Sequence, residues 1–222
     1  HTGLDVISQG WSLRYIPVNL ATGSSPSSVD AFAHQQYRWC LGSTTPLRRL
    51  WKLPIPARAK AAYLSGFLYY LFTALLLFVV PMIAIGILVF IPQDIRLQDY
   101  LALAPAVLNG FVLYPVWHRS EFGWATWALE IVRSWSHALA IWDHFRGNVM
   151  PWQPTGTSVS PVRRLWAALI MWNCGTAVAW LGLAALRTWQ FRTDRFAVVF
   201  LFGVIYVAPV VWTLWDRRVS PR

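Results

Sequence analysis

The chain has 222 residues, of which 56% are hydrophobic and only 13% are charged, and its mean hydropathy is +0.43. A soluble domain of this length carries about a quarter charged residues, so the composition indicates a membrane protein. The net charge of +10 does not indicate a nucleic-acid partner, because the basic residues flank apolar runs in short clusters, where they set topology and meet anionic lipid headgroups.

The first segment, residues 1–45, is predicted to be the end of an α/β domain. Residues 1–9 are apolar at helical spacing and precede Gly10, which is typical of a helix C-terminus. Residues 11–18 alternate like an edge strand. The chain starts at His1 without an initiator methionine or a signal-type apolar segment, so we expect it to be a fragment of a longer protein.

A polar cluster follows on the next predicted helix. The spacing Ser27-x-x-Asp30 predicts a capping box for this helix, which carries the motif Gln35-Gln36-Tyr37-Arg38-Trp39. An amide, a forked guanidinium and an indole on one helix face suit a diphosphate and the flat side of a sugar ring. The residues at positions i, i+3, i+4 and i+7 of this face are Gln35, Arg38, Trp39 and Gly42.

The rest of the chain is predicted to contain four membrane spans. A basic, proline-containing connector at 46–60 precedes them. The first run is longer than the roughly 20 residues that cross a bilayer, so Pro81 either kinks one tilted span or separates a span from a half-helix. The spans are predicted at 61–91, 100–117, 165–189 and 196–215, which gives a first pair within 61–117 and a second pair with a basic tail within 161–222.

The distribution of basic residues predicts the orientation of these spans. Thirteen lysines and arginines lie in the connector before the first span, between the second and third spans and after the fourth span, and four lie on the opposite side. Basic residues are enriched in cytoplasmic loops, so we expect a multi-pass protein of the cytoplasmic (inner) membrane with the motif and the C-terminus in the cytoplasm. The four on the opposite side are Arg96, Arg187, Arg192 and Arg195.

Residues 118–160 are predicted to form an interfacial amphipathic helix and a loop. The polar residues His137 and Asp143 lie off the apolar stripe of this helix, and the loop that follows has Pro and Gly turn chemistry. The stripe consists of Trp124, Ala128, Ile131, Trp135, Ala138, Trp142 and Phe145.

This order of features resembles the family-2 membrane glycosyltransferases, which include the bacterial cellulose synthase catalytic subunits. Residues 35–39 match the family's Gln-(Gln/Arg)-x-Arg-Trp motif, and residues 1–17 resemble the stretch after its Thr-Glu-Asp motif. The loop at 152–157 resembles the cytosolic gating loop, with Thr155 at the family's Thr and Thr157 in place of its Lys. The resemblance implies a GT-A-type α/β domain ending within 1–45, followed by a mainly α, polytopic membrane region.

The resemblance also implies an activity. It is the inverting, processive transfer of a sugar from a nucleotide-diphosphate sugar to a growing β-linked polysaccharide, with assistance to the passage of the polymer through the membrane. The catalytic aspartate and a divalent Mg or Mn ion are expected upstream of His1, so the chain alone is expected to be inactive. By the same resemblance, Gln35, Gln36 and Arg38 hold the diphosphate, Trp39 stacks on the acceptor sugar, and Trp152, Pro154, Thr155 and Gly156 form the gating-type loop.

Two alternatives stay open at this stage. One is a non-processive glycosyltransferase that acts on a lipid, and the other is a non-catalytic transporter or channel subunit. Transporters carry charged residues or paired broken helices at the bilayer midplane, and these runs contain almost no charge. The pairs His118 with Glu121 and His137 with His144 lack a convergent third ligand, so no metal site is predicted within the chain. Its expected partners are the sugar donor, the polysaccharide acceptor and membrane lipids.

Overall fold

The computed structural model of the protein describes residues 2–18, 23, 25–118, 124–151 and 162–219. Regular structure in these ranges is helical throughout, which confirms the mainly α prediction. We number the α-helices in chain order, and the short 3₁₀ and π segments lie between α4 and α6. The helices are α1 (Thr2–Ser8), α2 (Val29–Thr44), α3 (Leu47–Leu50), α4 (Ala57–Phe90), α5 (Ala104–Leu108), α6 (Tyr114–His118), α7 (Trp124–Arg146), α8 (Arg163–Phe191) and α9 (Ala197–Val219).

Two of these helices, α4 and α8, are long and apolar enough to cross a membrane. At 1.5 Å per residue, α4 with 34 residues and α8 with 29 residues both exceed a hydrocarbon core of about 30 Å. Helix α4 contains Pro81 and is assigned as a single continuous helix, so the first predicted run is one long helix rather than a span and a separate half-helix.

The second and fourth predicted spans take a different form. Residues 97–118 are helical but change type along their length, from 3₁₀ at Leu97–Leu103 through α5 to a π segment at Asn109–Leu113 and then α6. In the π segment, the N–H of Tyr114 donates to the carbonyl of Asn109, five residues earlier. We attribute this wider turn to Pro115, because a proline ring clashes with the carbonyl one turn earlier in an α-helix. The apolar part of α9 is Ala197–Thr213. Both segments stay predictions as membrane spans.

The N-terminal segment differs in part from its prediction. Helix α1 ends as predicted, with Gly10 at a φ of +87°. The strand prediction for residues 11–18 is wrong, because this segment is exposed and has no strand partner among the described residues. The N-cap of α2 is Ser28 rather than Ser27, and Ser28 Oγ accepts a hydrogen bond from Ala31 N–H at 3.2 Å. The GT-A-type tail stays a prediction.

The chain divides into two compact units. The first unit comprises His1–Leu76 and Arg133–Leu165, and the second comprises Leu77–Val132 and Trp166–Arg222. In the first unit, one apolar cluster joins α1 to α3 and the start of α4, and another joins α2 to α7. The buried members of these two clusters are Leu4, Leu50 and Ile55, and Tyr37, Cys40 and Ala140.

The second unit packs α8 against the end of α4 and the start of α9. Its side chains also bond backbone carbonyls that lack a helical partner. Pro81 has no N–H for the carbonyl of Leu77, and Trp172 Nε1–H donates to that carbonyl at 3.0 Å. Arg187 Nε–H donates at 2.9 Å to the carbonyl of Leu88, in the last turn of α4. The buried members of its apolar cluster are Leu88, Ile95, Trp180, Ala184, Phe196 and Val199.

Candidate functional site

The motif lies on α2, as predicted. The helix begins after the Ser28 cap, has Asp30 in its first turn, where a carboxylate favours the positive end of the helix dipole, and ends one residue before Thr45. Pro46 follows directly, and a proline cannot continue the hydrogen-bond ladder. Local sequence therefore fixes both ends of the helix that carries residues 35–39.

One side of α2 is accessible. Trp39 has 54% of its surface exposed, and Gly42 is also exposed. Gln35 and Arg38 are half-buried on the same side, because residues three, four and seven positions apart share one face of an α-helix. The indole of Trp39 can therefore offer its flat side to a ligand, and Arg38 precedes it on the same turn of the helix.

The other side of α2 is buried in the first unit. Gln36 is only 6% exposed, so this member of the predicted binding set lies on the buried side and is separated from Gln35, Arg38 and Trp39. The middle residue of the motif, Tyr37, is 1% exposed, and Cys40 and Thr44 are fully buried. Three of the four predicted binding residues thus share the accessible side, and the fourth faces the protein interior.

A buried histidine on α7 contacts Gln36. His137 Nε2 lies 3.4 Å from Gln36 Oε1, a long hydrogen bond, and His137 Nδ1 lies 2.7 Å from the hydroxyl of Thr73 on α4. The ring edge of Tyr70 packs against the imidazole at 4.8 Å between centroids. Burial, and secondarily the positive charge of Arg133, lower the pKa of His137 to about 3, so the imidazole is neutral at physiological pH.

Neutrality limits the hydrogen bonds that His137 can form. A neutral imidazole has one N–H, so one of its ring nitrogens donates and the other accepts. The imidazole therefore links Gln36 on α2 to Thr73 on α4, and the Thr73 hydroxyl also bonds the carbonyl of Tyr70 at 2.9 Å.

A second polar group binds Tyr37. Its hydroxyl donates to Asp143 Oδ2 and accepts from the backbone N–H of Met150, each at 3.1 Å. Arg164 donates to both oxygens of Asp143 at 3.0 Å, a bidentate ion pair. Burial raises the pKa of Tyr37 to about 12, although the Met150 bond acts against this shift, so the phenol stays protonated and donates to the carboxylate at neutral pH.

The buried thiol on α2 is not a nucleophile at neutral pH. Cys40 is fully buried, and burial raises its pKa to about 12. The thiolate is the reactive form, and it is essentially absent five pH units below the pKa. The Cys40 thiol bonds the carbonyl of His137 at 3.6 Å, which adds a third contact between α2 and α7.

Sequence reasoning missed His137 and Asp143. The prediction placed both on the polar side of α7, whereas both are buried and hydrogen-bonded. The buried face of α7 differs from the predicted one, because α7 buries the row Val132, Ser136, Ala140 and Asp143 and leaves Trp142 57% exposed. The available signal was a row at two i+4 steps, Val132, Ser136 and Ala140, that continues to a carboxylate three residues later, and the larger tryptophans outweighed it.

The gating-type loop residues, Trp152, Pro154, Thr155 and Gly156, lie outside the described residues. Over the part of the chain that is described, no group of three or more His, Cys, Asp or Glu side chains could hold a metal ion, and the Mg or Mn ion stays a prediction for another part of the protein. Comparisons of the chain with protein-family models, with curated proteins and with solved structures found no match.

Proposed function

We propose that the chain belongs to an inverting, processive family-2 glycosyltransferase, in which it forms the end of the catalytic domain and the membrane region. The observation that carries this proposal is the division of the motif between two sides of α2. Gln35, Arg38 and Trp39 share the accessible side, while Gln36 and Tyr37 are buried and hydrogen-bonded to α7. An exposed indole and a half-buried arginine beside it, on a firmly held helix, are suited to binding a sugar and a diphosphate.

In the proposed reaction, an acceptor hydroxyl attacks the anomeric carbon of a nucleotide-diphosphate sugar and inverts its configuration. The bond from that carbon to the diphosphate oxygen breaks, and the hydroxyl proton passes to an aspartate outside this chain. Negative charge then grows on the diphosphate, where Arg38 supplies a forked donor. Trp39 stacks on the acceptor sugar and aligns its hydroxyl for attack. A divalent cation would screen the diphosphate charge when it is bound.

The membrane setting distinguishes the alternatives. Two helices long enough to span a bilayer in one chain with the motif favour a product that is made at the membrane. A lipid-directed, single transfer needs the same motif, and the length of the product separates it from processive synthesis. Helices α4 and α8 each contain a long apolar stretch with few charged side chains, and this apolar character favours the enzyme over a transporter.

Substitution of the two accessible motif residues tests the proposal. Membranes containing the complete protein would be supplied with labelled UDP-glucose or UDP-N-acetylglucosamine, and incorporation into long polymer and into lipid would be measured separately. Trp39→Ala should abolish polymer synthesis, and Arg38→Lys should reduce it about 100-fold, because a point charge cannot replace the fork. The matched control is Trp51→Ala, which removes a tryptophan that is 62% exposed outside the motif.

The outcome separates the candidates. Wild-type incorporation by Trp39→Ala would contradict the acceptor role, and labelled lipid without polymer would favour single transfer. If the unsubstituted protein transfers neither sugar under conditions in which a known synthase is active, the glycosyltransferase proposal loses its support and the channel subunit becomes the candidate to test.

A further inference from the structure

The buried side of the motif helix is attached to α7 through two side-chain networks. Gln36 meets His137, and Tyr37 meets Asp143. The two α7 residues are six positions apart, whereas Gln36 and Tyr37 are consecutive. Consecutive residues of an α-helix point about 100° apart, so the two contacts hold α2 from different directions. A pair of such contacts restricts rotation of α2 about its axis, which a single contact would allow.

We propose that His137 and Asp143 are positioning residues for the motif, and that they set the rotation of α2 so that Arg38 and Trp39 face the substrate. The expected effect on sugar transfer rests on the proposed function. The geometry that carries it is independent of that function, because the contacts exist whatever the ligand is. Both residues bond side chains on the buried side of the helix.

The chemistry of both networks favours rigidity. The polar side chains in both networks are paired, since Gln36 bonds His137, and the two oxygens of Asp143 accept from Tyr37 and Arg164. A buried polar group that loses its partner keeps the full cost of desolvation, so rotation of α2 away from α7 is penalised at both points. A cluster of purely apolar contacts would restrict this rotation less, because it is non-directional.

Rotation has a large effect at the accessible side. The ends of the Arg38 and Trp39 side chains lie about 7 Å from the helix axis, well beyond the Cα radius of about 2.3 Å. A rotation of α2 by about 20° therefore displaces these ends by roughly 2–3 Å. A misplacement of about 1 Å can cost a hundredfold in rate. Loss of either α7 contact is therefore expected to reduce transfer without removing any group that touches the substrate.

Cys40 provides a direct probe of the contact between α2 and α7. It lies on the buried side of α2, four residues after Gln36, and is fully buried. The chain has one other cysteine, Cys174, which is exposed. In a Cys174→Ala background, the rate of Cys40 modification by N-ethylmaleimide reports how often α2 separates from α7, whether or not the protein transfers sugar.

The test compares Tyr37→Phe and His137→Leu in this background. Each substitution removes one hydrogen bond between α2 and α7. Cys40 modification should therefore accelerate up to about tenfold, which corresponds to the net free energy of one hydrogen bond. Sugar transfer per folded protein should fall in parallel. His137→Gln, which can keep a donor near the position of Nε2, should restore both readouts in part. The control is Thr45→Ala, which removes a bond from Thr45 to Leu41 O at the exposed end of the same helix.

Three results would overturn the inference. These are unchanged Cys40 modification in both variants, faster modification with unchanged transfer, and an equal response of the Thr45→Ala control. Tyr37→Phe removes a single oxygen atom, so it keeps the test valid if His137→Leu fails to fold. Failure of the proposed function has a different signature, because the parent protein would then transfer no sugar while the modification rates still separate the variants from the control.

Discussion

The two units of the chain bury polar groups in different ways. In the first unit, side chains such as His137 and Asp143 bond other side chains from distant parts of the sequence. In the second unit, Trp172, Trp180 and Arg187 donate mainly to backbone carbonyls. Bonding a carbonyl that has lost its helical partner is a requirement of the fold in an apolar setting. Side-chain networks select which residues meet. The networks of the first unit hold the motif helix, and one network in the second unit, of Asn173, Thr176 and Tyr206, joins α8 to α9.

The largest expected effect concerns the apolar packing of the second unit. Phe196 is fully buried in its apolar cluster, so Phe196→Ala should reduce the free energy of unfolding by about 3–5 kcal/mol. Phe200→Ala, at a side chain that is 42% exposed four residues later, is the matched control and should cost much less. Thermal unfolding in detergent would measure both, and equal shifts in Tm would contradict the assignment.

The first unit should respond to acid, because its network contains a neutral buried histidine. Unfolded His137 binds a proton below about pH 6.5, whereas in the folded protein its pKa is about 3. The unfolded state therefore binds more protons between these values, and the stability that His137 contributes above pH 6.5 is lost as the pH falls toward 3. The expected loss at pH 5 is about 2 kcal/mol.

Measurement of Tm at pH 7.5 and pH 5 would check this effect. His137→Gln should have a smaller acid-induced decrease in Tm than the unsubstituted protein, because Gln cannot bind the proton. His144→Gln, on the same helix and half-buried, retains His137 and should keep the decrease. If the decrease persists unchanged in His137→Gln, the acid response originates from another group.

The networks of the first unit also mark the limit of what the sequence predicts. Hydrophobic length predicted α4 and α8, and cap residues and periodicity predicted α2, α7 and the accessible face of the motif, because these features depend on neighbouring residues. The partners of Gln36 and Tyr37 lie about a hundred residues away, and no local pattern encodes such a contact. The sequence therefore predicted that the two polar residues of α7, His137 and Asp143, face solvent.

The same contrast explains why the strand prediction failed. Residues 11–18 alternate like a strand, but a strand forms only when a partner supplies hydrogen bonds, and none of the described residues does so. Residues 97–118 stay a predicted span, within which Pro115 interrupts the hydrogen-bond ladder beside a π segment. Alternation predicted the first segment and apolar length the second, and backbone hydrogen bonding decided the local conformation of both.

The smallest expected effect concerns the hydrogen bond from the Trp172 side chain to the backbone of α4 in the second unit. Pro81 leaves the carbonyl of Leu77 without a helical donor, and Trp172 donates to it at 3.0 Å. Trp172→Phe removes this donor, keeps most of the ring packing, and should cost about 1 kcal/mol. In a Pro81→Ala background the helix supplies its own N–H for Leu77, so the same substitution should cost less. A double-mutant cycle on the free energy of unfolding should give a coupling of up to about 1 kcal/mol. Additive effects would mean that Trp172 stabilises the second unit by packing alone.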